Sequence, residues 1–216
     1  VGALIASLYA CGISAQKMVA ISESISWKQL VKIKLSRHGM FSAEAIEKLV
    51  TNYIGNKTFD ETQIPLSIAM TDILNDKKVI ISKGSLTIAK VVSASTCIPG
   101  VFSPVNIDDN YYIDGSVKTF LPVHCLRELG ATHIVGVNII PKKRLQKLPK
   151  SMYHVLDRAV DCMLNSMKES IDDRVDIMLE PVESYVSSLD IKSYHKLIDF
   201  GFQSVEKNKH KIQDLV

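Results

Sequence analysis

The run IVGVNII, Ile134 to Ile140, constrains the fold more than any other stretch of this 216-residue chain. It is short, β-branched and nearly free of polar side chains, the pattern of a strand covered on both faces of a sheet. Other apolar runs of strand length come in pairs. Leu66–Met70 and Lys78–Ile81 are separated by Asn75 and Asp76, and Val105–Asp108 and Tyr111–Asp114 by Asp109 and Asn110. Each pair reads as two strands joined by a turn.

Helical patterns alternate with these runs. VGALIASLYA, Val1 to Ala10, is apolar nearly all round and stops at Gly12, a residue type that takes the left-handed C-cap. Ser14–Ala20 and Trp27–Lys34 read as short helices or turns. Ser42 can cap a helix over Ala43–Ile54, with Ile46, Leu49, Val50 and Tyr53 on one face. Further helices are expected over Leu86–Ala94, from Pro122 to Glu128, over Met152–Ile171 and over Tyr194–Gln213, with a short strand at Asp176–Leu179. Helices alternating with apolar strands predict a three-layer α/β/α fold with a mainly parallel central sheet, as a single domain over residues 1–216. Trp27, Tyr9, Met152, Met163 and Met167 are expected in the core rather than at a cofactor.

Composition narrows the function. Lys and Arg number 26 against 23 Asp and Glu, a net charge of +3, far from the basic stripe that displaces phosphate counterions, so nucleic acid is not an expected partner. Cys11, Cys97, Cys125 and Cys162 form no C-x-x-C pair and no zinc spacing, which suits free thiols in a reducing, cytoplasmic setting. No apolar run approaches the roughly 20 residues of a membrane span. The six histidines show no metal-ligand spacing, the aspartates no calcium loop and the glycines no nucleotide cradle, so neither metal nor cofactor is expected. The run Lys142–Lys150, KKRLQKLPK, carries five cations and no acid. It reads as a solvated loop, with peripheral contact to anionic lipid headgroups as the other reading.

Asp114-Gly115-Ser116 follows the strand YYI. A carboxylate held by a glycine turn at a strand end suits a catalytic group, although Asp-Gly is equally a common turn former. The neighbouring segments shift that balance. Ser93 to Val105 reads S-A-S-x-x-I-P-G-V-F-x-P-V, Tyr111 to Val123 reads Y-x-I-D-G-S-V-x-x-x-L-P-V, and the opening V-G-A-L-I-A-S-L-Y-A-C-G precedes both. Together they resemble the patatin-like phospholipase family, in particular its small bacterial members.

The resemblance implies a Ser/Asp dyad that hydrolyses carboxylic esters of phospholipids or other acyl lipids, with Asp114 as the base. Gly2 becomes the last glycine of a G-x-S-x-G elbow, which places the nucleophilic serine one position before Val1. The chain opens without methionine and without a helix N-cap, so the protein is expected to continue upstream. Pro99 and Gly100 would set a wall beside the site, Val101 and Phe102 would offer acyl contacts, and Gly115 would complete the aspartate turn. A plain helix stop and buried strand explains the same wall residues equally well. Ser116 replaces the family's usual Gly or Ala, and Lys118-Thr119-Phe120 stands where an asparagine is frequent. The alternative to a hydrolase is a lipid-binding or regulatory protein of this fold without catalysis.

Overall fold

The computed structural model describes residues 1–26, 32–36, 38–140, 148–149, 151–168, 175–182 and 193–215. The chain divides into two compact units, Val1–Pro122 and Val123–Val216.

The first unit opens with α1, Gly2–Ala10, and α2, Ala15–Ser24. Gly12 has φ 89, and the N–H groups of Gly12 and Ile13 donate to the carbonyls of Tyr9 and Leu8 at 2.9 Å each, a Schellman closure of α1. Ser14 then caps α2, its hydroxyl accepting from the Lys17 N–H at 3.3 Å. Next come β1, Lys32–Ser36, β2, Gly39–Ser42, and α3, Glu44–Ile54. β1 and β2 are antiparallel. Part of the segment Trp27–Lys34, expected as a short helix or turn, is therefore strand, and residues 27–31, Trp27 among them, lie outside the described residues. Ile33 and Leu35 alternate with lysine and serine there, a period of two that a helical reading overlooks.

The sheet of this unit has the order β4-β3-β6-β5, formed by β3, Ile68–Asp72, β4, Lys77–Ile81, β5, Val105–Ile107, and β6, Asn110–Asp114. All of its pairings are antiparallel: Met70 faces Val79 and Asp114, and Val105 faces Tyr112. The mainly parallel central sheet is not what the described residues form. The reason is chain length, because two strands joined by a few residues must run antiparallel, whereas parallel neighbours need a crossover. Asp108 and Asp109, with φ 48 and 62, supply the positive φ at both positions that a two-residue type I′ hairpin needs. The other hairpin is tied by Asp72, which accepts from the side-chain amide of Asn75 at 2.9 Å and from the Leu74 N–H at 3.0 Å. The Asn75 amide, foremost, holds the Asp72 carboxyl below its ordinary range.

The core of this unit is α4, Ile88–Ser95, which packs on β3 and β6 and is covered by α1 and α3. Ile88, Val91, Val92 and Ala94 are fully buried. Each large aliphatic side chain so enclosed contributes about 1.5–3 kcal/mol. Ile46, Leu49, Val50 and Ile54 give α3 its buried face. Tyr9, expected in the core, is 56% exposed on α1.

The second unit holds α5, Val123–Glu128, β7, Val135–Val137, α6, Met152–Lys168, β8, Ile177–Leu179, α7, Tyr194–Lys207, and α8, Lys209–Gln213. β7 and β8 are parallel. The apolar run around β7 is not an inner strand covered on both faces. Ile134 and Asn138 are buried, while Val135 and Val137 are 42% and 49% exposed. Alternation along a strand sends neighbours to opposite faces, and hydropathy alone does not say whether both faces are covered. Met152 and Met163, also expected in the core, are exposed. Most of the cationic run Lys142–Lys150 lies outside the described residues. Among the described residues no helix is long and apolar enough to cross a membrane.

Asp176 ties β8 to the chain before β7. Its carboxylate accepts from the Ile134 N–H at 2.7 Å and from Arg127 Nη2 at 3.0 Å. The Ile134 backbone bond, foremost, lowers its pKa. A carboxyl depressed in the folded state stabilises above its unfolded value, and that contribution is lost as pH falls through the folded one. Thermal melting should therefore weaken below about pH 4, and Asp176→Asn should flatten that part of the profile.

Candidate active site

Asp114 ends β6 and begins the 3₁₀ turn Gly115–Val117. Three bonds fix its orientation. Its N–H donates to the Cys97 carbonyl at 3.0 Å, and its own carbonyl accepts from the Thr71 hydroxyl at 2.9 Å. Its carboxylate Oδ1 accepts from the Ser116 N–H at 2.8 Å. The turn also explains the glycine: a Cβ on Gly115 would lie 2.3 Å from the Ala69 carbonyl oxygen, so only a hydrogen fits against β3. Asp114 is only partly buried, so its carboxyl stays within reach of solvent.

The N-terminal end of α1 lies within the field of this carboxylate. Asp114 is near enough to the Val1 backbone nitrogen to act on a charge there. Gly2, which begins α1, is exposed, and a Cβ added to it would meet no heavy atom within 4 Å. Val1 makes no side-chain cap bond to the first turn of α1, the end of a helix where N–H groups lack intrahelical partners and the dipole is positive.

The segment after α4 forms the neighbouring wall. Pro99 and Gly100 are exposed at a turn in which Gly100 has φ 79. Val101 and Phe102 are 5% and 7% exposed, and Phe102 packs on Phe41 with ring centroids 6.1 Å apart. β2 holds this wall from the side: the N–H groups of Met40 and Phe41 donate to the Val101 carbonyl at 3.1 and 3.0 Å. Phe102 is thus enclosed, while Met40, which carries no motif signal in the sequence, is 53% exposed next to Phe41 in the strand.

Ser7 offers no nucleophile, being fully buried with its hydroxyl donating to the Leu4 carbonyl at 2.8 Å. His124 is exposed on α5 and lies 3.3 Å from Glu128. Among the described residues no three His, Cys, Asp or Glu side chains form a group able to hold a metal ion.

Thr71 and Cys97 carry no sequence signal for their roles, because only the pairing register brings Thr71 opposite Ile113 and its hydroxyl onto Asp114. Thr71→Val keeps the shape and removes the donor; it should cost roughly 1–3 kcal/mol in urea unfolding, with Thr71→Ser recovering most of it. Burial, with Asp114 adding to it, pushes the Cys97 thiol up to about 12. Iodoacetamide at pH 8 should therefore modify exposed Cys162 and spare buried Cys11, Cys97 and Cys125 until the protein is unfolded, as peptide mass mapping would read.

Comparison with known proteins agrees with this geometry. Residues 1–126, more than half of the chain, match the family described as patatin-like phospholipase. Uncharacterized NTE family proteins of Mycobacterium bovis and of two strains of Mycobacterium tuberculosis are each 26% identical over 141 residues, 64% of this chain. That stretch is 38% of their own length, so the chain spans less than half of these relatives. The matched residues include α1, the wall and the Asp114 turn, and the chain belongs to the patatin-like phospholipase family.

Proposed function

We propose that the full protein is a lipid acyl hydrolase that cleaves carboxylic esters of phospholipids or related acyl lipids through a Ser/Asp dyad. Asp114 is the base, and the nucleophilic serine stands immediately before Val1. What supports this reading is the family match over residues 1–126, together with the Asp114 carboxylate held at the end of β6 by the Ser116 N–H at 2.8 Å.

The chemistry follows from that placement. Asp114 Oδ2 accepts the serine Oγ proton while Oδ1 remains bonded to Ser116 N–H, so the carboxylate does not turn away. The alkoxide adds to the ester carbonyl carbon. The oxygen of that carbonyl becomes negative beside the first-turn N–H groups of α1, whose dipole stabilises it. The tetrahedral centre collapses to an acyl-serine, and the leaving alcohol takes the proton from Asp114. Water then repeats the sequence, Asp114 accepting its proton, to release the fatty acid and restore the serine. Pro99 and Gly100 are the wall against which the acyl chain is placed.

The test is product analysis. Full-length protein incubated with phosphatidylcholine vesicles should release free fatty acid and lysophospholipid in equal amounts by mass spectrometry. Intact lipid after prolonged incubation, with the protein folded by circular dichroism, would point to the non-catalytic lipid-binding alternative.

A further inference from the structure

Helix α6 is inside out. A helix on the surface of a water-soluble unit normally hides its apolar stripe and presents charge to solvent. In α6, Met152, Val155, Leu156, Val160 and Met163 are 81%, 45%, 57%, 41% and 66% exposed. At about 3.6 residues per turn they fall, with Ala159, on one stripe that runs over the first three turns of the helix, roughly 17 Å. That stripe contains no charged side chain. The opposite side carries Arg158, Asp161, Asn165 and Lys168 around the buried Leu164.

The orientation is fixed from the polar side. Lys168 is 3% exposed and its ammonium lies 2.6 Å from Glu180, whose carboxylate also accepts from the buried Asn138 amide at 3.0 Å. Turning α6 to hide the stripe would strip the buried Lys168 ammonium of this partner. The exposed stripe is therefore a built feature of the second unit.

Charge identifies what it meets. The sequence that leads into α6 is KKRLQKLPK, five cations without an acid. Leu148, within it, is 86% exposed. This run ends at Lys150, two residues before α6 in the sequence, and its charge favours an anionic bilayer over a second copy of the chain, which would add five further cations. We propose that the stripe of α6 docks on an anionic lipid surface, its methionine, leucine and valine side chains entering the boundary between headgroups and acyl chains. This inference stands on α6 and its charge context, independently of the hydrolytic reading.

The experiment is flotation of the full-length protein with vesicles of phosphatidylcholine alone or with added phosphatidylglycerol. Partitioning should be about tenfold stronger onto the anionic vesicles, and Leu156→Glu combined with Met163→Glu should remove most of that gain. Hydrolysis of a water-soluble short-chain ester, read in parallel, should not change in this variant. If the glutamates unfold the helix by circular dichroism, Leu156→Gln with Met163→Gln gives the same comparison. Absence of flotation, or flotation indifferent to headgroup charge or to these substitutions, overturns the proposal. So does a dimer in analytical ultracentrifugation that the same substitutions dissociate, since the stripe would then belong to a second copy. Flotation without ester hydrolysis would count against the hydrolase reading alone.

Discussion

In the full-length protein Asp114→Asn should lower turnover of a short-chain aryl ester by roughly 10² to 10⁴, the usual contribution of a positioned base. The substitution keeps the size of the side chain and removes the charge that accepts the serine proton. It should leave melting nearly unchanged, because the amide oxygen can still accept from the Ser116 N–H and asparagine tolerates the same turn. His124→Ala is the control. His124 is exposed and pairs with Glu128 one turn along α5, so its removal should leave most of the activity. A strong loss in His124→Ala with normal turnover in Asp114→Asn would replace the dyad by an imidazole-based mechanism. Initial rates and thermal melts of both variants decide the matter.

Gly115→Ala should damage both stability and catalysis. The added methyl would lie 2.3 Å from the Ala69 carbonyl oxygen and 2.7 Å from its carbon, backbone atoms of a strand paired on both sides. Neither side can yield without moving the sheet, so the cost should be roughly 1–3 kcal/mol. The movement also carries Asp114, the adjoining residue, away from its place, and a displacement of about 1 Å at a reacting group costs on the order of 10² in rate. Gly55→Ala separates the two effects. Gly55 has φ 70 and open space around it, so alanine there suffers only left-handed strain, about 1–2 kcal/mol, with turnover retained. Equal losses of turnover in the two variants would mean that Gly115 acts through general stability alone.

Much of this architecture was legible in the residues. The Gly12 stop of α1, the Asn75-Asp76 turn and the helices expected from Ser42 and over Leu86–Ala94 stand within two residues of where local chemistry puts them, while the second hairpin turns at Asp108-Asp109, one residue before the expected Asp109-Asn110. Local signals act over a few residues, and caps and hairpin turns are of that kind. What the sequence left hidden is non-local. The two hairpins read from the turns already required antiparallel pairing, yet their neighbour relation, β3 beside β6, is set by tertiary register. Ile134 to Ile140 and α6 show the same limit: hydropathy marks a strand or an amphipathic helix without saying which face the rest of the molecule covers. At the site, the Asp114-Gly115 turn carried a signal, whereas Thr71 and the Cys97 carbonyl depend on strand register and on where α4 ends.

The most direct measurement of the central claim is labelling of the full-length protein with a fluorophosphonate, followed by mapping of the modified peptide. A phosphonylated serine immediately before Val1, with labelling slowed about a hundredfold or more in Asp114→Asn, is the expected result. No labelling of the active preparation, or a label on a serine elsewhere in the chain, would contradict the dyad.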